Sequence, residues 1–96
     1  MMITQEQKKS FETLAISLLP AGWKFSWSCT SAPLPRSAYG ICYYDSRTII
    51  VRRNETAPMI LDTIAHEVAH AQLPGHAHDG IWQALYTQLV TTARVK

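Results

Sequence analysis

Four histidines fall between positions 66 and 78, and none lies elsewhere in the chain. The run His66-Glu67-Val68-Ala69-His70 places two of them four residues apart. On a helix that spacing stacks both imidazoles on one face, about one turn apart, so both reach the same ion. Zinc accepts neutral imidazole nitrogen at about 2.0–2.1 Å and favours a tetrahedron. Glu67 is rotated around the helix from His66. There it serves as a base toward a zinc-bound water, the nucleophile of a hydrolysis, without being a ligand.

A third protein ligand has three candidates. His78 lies eight residues after His70 and reaches back across a turn. His76 lies six residues after it, the metzincin spacing, but Leu73 stands where that pattern has glycine and no methionine follows Met59. Asp79 offers an oxygen, although capping the next helix suits it as well. His66, His70 and His78 are the expected metal set, with Zn2+ as the ion and Glu67 as the catalytic residue.

These residues need elements to hold them. Ile60, Leu61, Ile64, Ala65, Val68 and Ala69 flank the motif with helical spacing, which predicts a helix over 57–73. Pro58 suits its first turn, Thr56 or Asn54 its cap, and Pro74-Gly75 its end. A last helix is expected from about Asp79 to Arg94, with Ile81, Trp82, Leu85, Leu89 and Val90 as its apolar face. Asp79 suits its N-terminal dipole and Arg94 its C-terminal one. Near the N-terminus, Phe11, Leu14, Ala15, Leu18 and Leu19 mark a first helix, with Thr4 and Gln7 as a capping box. Three strands lie between. Trp23, Phe25, Trp27 and Cys29 alternate with polar residues, and segments 39–44 and 48–52 flank a short Asp45-Ser46-Arg47 turn. Residues 30–38, with two prolines, read as a loop. The order is helix, three strands, helix, helix. It predicts an α+β domain over 1–96 with a three-stranded antiparallel sheet between an N-terminal helix, the metal-binding helix and a C-terminal helix.

The run HEVAHAQLPGHAHDGIW resembles the SprT-like (Spartan-type) metallopeptidases. Their metal helix carries H-E-x-x-H, often followed by alanine. A third histidine comes after a variable turn, with an aromatic residue four positions on. His66, Glu67, His70 and Ala71 match the first part; His78 and Trp82 match the second. The family commonly has glycine directly after the third histidine, where this chain has Asp79 and then Gly80. Gly40-Ile41-Cys42 and Thr48-Ile49-Ile50-Val51 are similar to its upstream strands, so the likeness spans about Tyr39 to Leu85. It implies a minimal zincin fold and zinc-dependent hydrolysis of peptide or protein substrates. From the DNA-repair members it implies action on DNA-associated proteins. Larger relatives add a zinc ribbon, and no C-x-x-C pair occurs here. Short stand-alone versions occur in bacteria and phages.

Composition sets the remaining bounds. The 96 residues are 47% hydrophobic and 17% charged, a globular balance. A net charge of +2 is too small to announce a nucleic-acid binder. No apolar run is long enough to span a membrane, and Glu12 interrupts the faint signal-peptide mimicry of residues 8–19. Cys29 and Cys42 are too few for a disulfide scaffold and read as two semi-buried thiols in a cytoplasmic protein, although a bridge between neighbouring strands is conceivable.

Other residues carry paired readings. Trp23, Phe25 and Trp27 suit either core or a stacking platform for single-stranded nucleic acid. Arg47, Arg52 and Arg53 suit a solvated strand edge or phosphate contacts. Trp82 is expected beneath the metal turn. Tyr43, Tyr44 and Tyr86 are possible oxyanion donors. The strand 48–52 is expected to offer an exposed edge to an extended peptide. A rival to catalysis is a zinc-stabilised binding module for DNA or a protein, in which all four histidines close the site.

Overall fold

The computed structural model describes residues 3–29, 33–76 and 78–95, with side chains described as far as Ala93. Residues 30–32 of the expected loop and the side chain of Arg94 lie outside the described residues.

The first helix, α1 (Gln5–Leu18), starts on the predicted capping box. Gln7 N–H donates to Thr4 Oγ1 at 3.1 Å, and Thr4 N–H donates to Gln7 Oε1 at 2.8 Å. Strands β1 (Lys24–Trp27), β2 (Gly40–Tyr43) and β3 (Thr48–Val51) follow. Helices α2 (Ala57–Gln72) and α3 (Gly80–Val95) complete the order. Thr56 stands at the N-cap of α2 without a side-chain hydrogen bond, and Pro58 occupies the first turn.

The sheet is mixed, not antiparallel. Its strand order is β1-β3-β2. The tight turn over residues 44–47 forces β2 and β3 to be antiparallel neighbours, with Cys42 opposite Ile49. No short turn constrains β1. Residues 28–39 separate β1 from β2, and β1 takes the far edge of β3 and runs parallel, with Phe25 opposite Ile49. Parallel strands need such a long excursion between them. Two bonds pin the pair: Lys24 N–H to Arg47 O at 2.8 Å and Ser28 N–H to Val51 O at 2.9 Å. Arg52 then fastens the excursion. Its guanidinium donates to the carbonyls of Ala38 and Pro35, at 2.9 Å each. That use replaces both roles considered for Arg52, a solvated edge and a phosphate contact.

The consequence is that β3 is central. Both its edges are paired, so it offers no edge to a peptide. The edge strand beside α2 is β2.

One face of the sheet carries Ile49 and Val51, fully buried, with Phe25, Trp27 and Cys42 packed around them. Trp23, Phe25 and Trp27 are half-buried and pack against this core. Trp27 Nε1–H donates to Glu12 Oε2 at 2.6 Å, which joins β1 to α1. Helix α2 lies across this face and also touches α1 and α3. Being central, it buries several sides: Ile60, Ile64, Ala65, Val68 and Ala69 are all inside. The buried side of α3 runs Trp82, Leu85, Tyr86, Leu89 and Ala93. Ile81, expected on that side, is 59% exposed. The buried side centres near Trp82, and Ile81 lies about 100° around the helix from it, at the edge of that side.

Candidate metal centre

Helix α2 carries His66 and His70 on the side facing α3, and the turn before α3 supplies His78. The three Nε2 atoms form a near-equilateral triangle. His66 and His70 are 3.3 Å apart, His66 and His78 3.2 Å, and His70 and His78 3.1 Å. A tetrahedral ion bound at about 2.0–2.1 Å holds its donor atoms about 3.3–3.4 Å apart. The separations fit within two or three tenths of an ångström. These three histidines lie close enough to hold one metal ion.

Two local features bring His78 into place. Gly75 takes φ +89°, which turns the chain after α2. His78 itself takes φ +60°, uncommon for a residue with a Cβ and a mark of local strain. Asp79 then caps α3, accepting from Trp82 N–H at 2.8 Å through Oδ1. Its other oxygen faces His76 Nδ1 at 2.6 Å. Of the three candidate third ligands, the structure gathers only His78. His76 and Asp79 are engaged with each other.

Trp82 floors the cluster. It is 2% exposed, and its ring centroid lies 4.9, 5.1 and 4.5 Å from those of His66, His70 and His78. Tyr86, one turn on, stacks against Trp82 at 5.1 Å. Its hydroxyl donates to Asp62 Oδ1, which ties α3 to α2 behind the histidines. Asp62 was not foreseen, yet it lies four residues before His66 on the same helix face, where a second group near the site belongs.

The electrostatics favour neutral imidazoles. Burial, and then the neighbouring histidines His66 and His78, push His70 down to about 4. Burial also lowers His66, followed by His78, with Asp62 opposing. Glu67 is 7% exposed, and burial pushes its carboxyl up to about 7. It is poised to take or give a proton near neutral pH.

Glu67 stands where two clefts meet. The larger, about 480 Å³, includes Cys42, Tyr44, His70 and His76 in its lining. The smaller, about 220 Å³, includes Tyr39, Met59, Asp62 and His66. Both share Glu67 and Gly40. At Gly40, β2 passes close against α2. A Cβ there would lie 2.6 Å from Thr63 Cγ2 and 3.2 Å from Glu67 Cγ. Burial first, and Glu67 second, raise the Cys42 thiol to about 11. Cys29 is exposed rather than semi-buried. A larger open depression, about 970 Å³, is lined by α1 residues alone and shares none with the histidines.

No family model, curated protein or solved structure matches this chain. No helix among the described residues is long and apolar enough to cross a membrane.

Proposed function

We propose that this protein is a zinc metallopeptidase of the SprT-like type, with a minimal zincin fold. The single observation that carries the reading is the triangle of Nε2 atoms with a buried carboxylic acid one residue from His66. The donor set suits zinc, because three imidazoles leave one tetrahedral position for water or substrate. Zinc, when bound, acidifies water and polarises a carbonyl oxygen.

The chain's own groups then have defined tasks. His66, His70 and His78 hold the ion. Glu67 takes the proton of the attacking water and passes it to the leaving nitrogen as the C–N bond breaks. An extended peptide adds to the free edge of β2, running past Gly40 through the two clefts that meet at Glu67. DNA-associated proteins are the substrate class suggested by the resemblance alone.

The rival, a closed four-histidine structural site, lacks its fourth ligand. His76 Nδ1 is 2.6 Å from Asp79 and outside the triangle. A structural site also has no need of a buried glutamic acid.

The test is Glu67→Gln, followed by zinc content and by hydrolysis of an unfolded protein. Full zinc occupancy with turnover reduced at least about a hundredfold is expected. Unchanged hydrolysis would remove Glu67 from the mechanism.

A further inference from the structure

The wall of the larger cleft holds a polar group not used above. Tyr44 follows β2 and lines this cleft with Glu67 and His70. Its hydroxyl donates to the His70 carbonyl at 3.1 Å. The sequence leaves that carbonyl without a helical donor, because position i+4 is Pro74, which has no N–H. The Tyr44 ring is held edge-on to Trp23, with centroids 6.1 Å apart. The phenol therefore rests at a defined place beside a metal-site histidine and is still 46% exposed.

The other tyrosines are placed differently. The Tyr86 hydroxyl is bonded to Asp62, and its ring is stacked on Trp82. Tyr43 follows Cys42 in β2, so strand alternation turns it to the opposite face. Tyr39 lines the smaller cleft. The Tyr44 hydroxyl, by contrast, is anchored on the backbone of a cluster histidine.

We propose that Tyr44 is a catalytic residue of the hydrolysis, its hydroxyl leaving the His70 carbonyl to donate to the oxyanion that forms when water adds to the scissile carbonyl. This rests on the metallopeptidase reading. A phenol has one proton to donate, so the His70 carbonyl and the oxyanion are alternative acceptors. The first is neutral and already at 3.1 Å. The second is charged, and hydrogen bonds to ionised acceptors are shorter and about twice as strong. The exchange becomes favourable only as charge develops, which is the condition for lowering a barrier rather than tightening ground-state binding. The carbonyl given up lies at the exposed end of α2, where water can serve it. A phenol ionises at about pH 10, so it is a donor at neutral pH.

A capping role alone would affect fold and metal affinity without regard to ligand shape. The experiment therefore compares zinc-titrated wild type and Tyr44→Phe by calorimetry with two probes. Phenylphosphonate presents a tetrahedral oxyanion, and benzohydroxamate presents a planar chelate. The expected result is about a tenfold or greater loss of phenylphosphonate affinity in Tyr44→Phe, the worth of one hydrogen bond to a charged group. Zinc and benzohydroxamate affinities should stay within about twofold. Equal phenylphosphonate binding by the two proteins overturns the role of Tyr44 while zinc uptake keeps the metal site. Parallel weakening of zinc and both probes reduces Tyr44 to a cap. A wild type that takes up no zinc overturns the metallopeptidase reading itself, and the role of Tyr44 with it.

Discussion

Glu67 and its histidine neighbours titrate in overlapping windows with opposite effects on stability. His66 and His70 lie below their ordinary value of 6.5, so the unfolded chain binds more protons than the folded one beneath it. Their contribution is complete above pH 6.5 and is lost as pH falls toward about 4 for His70. Glu67 is raised from 4.5 to about 7, so the folded chain binds more protons there and stability falls as pH climbs through that window. Glu67→Gln removes only the second slope. Metal-free Glu67→Gln should therefore gain stability relative to wild type between about pH 5 and about pH 8, read from urea midpoints in chelator. The ligand set has its own test. Native mass spectrometry should find one zinc in wild type and in His76→Ala, and none in His78→Ala. Loss from both variants would restore the four-histidine site. The His66, Glu67 and His70 trio was legible in the sequence because it lies within one helical turn. The choice of His78 was legible as a preference only, since it depends on a left-handed turn at His78 and on a partner for His76.

At the scale of elements, the site depends on how closely β2 passes α2. Gly40 permits that approach, because a side chain there would meet Thr63 and the Ile50 carbonyl, the latter at 3.2 Å. Gly40→Ala should cost about 1–3 kcal/mol through overpacking, measured as a lower urea midpoint with an unchanged slope. Retention of wild-type stability would mean that β2 can retreat, which would widen the cleft at Glu67. Helix periodicity located all three helices to within about two residues, since each buries a face of regular spacing. Alternation located β1, and aromatic and β-branched runs on either side of a short polar turn located β2 and β3. Neither pattern contains partner identity, so the parallel pairing of β1 with β3 was out of reach. The exposed-edge role therefore moved from residues 48–52 to β2.

For the whole molecule, a metal that binds only the folded state adds stability set by its free concentration. At about a thousand times Kd the gain is about 4 kcal/mol, enough to raise the midpoint of a domain this size by more than about 10 °C. Thermal unfolding with zinc and with chelator should show that difference in wild type, and His78→Ala should show little of it. An equal midpoint under both conditions would mean that the triangle holds no ion. The sequence by itself determined the helices, the strands, the paired histidines and the acid beside them, because each is a local pattern carried by a few consecutive residues. Tertiary structure alone decided the strand order, the left-handed turn at His78, the Asp62–Tyr86 tie, and the meeting of two clefts at Gly40 and Glu67. Those features depend on which surfaces pack together, and that is fixed only when distant segments compete for the same buried face.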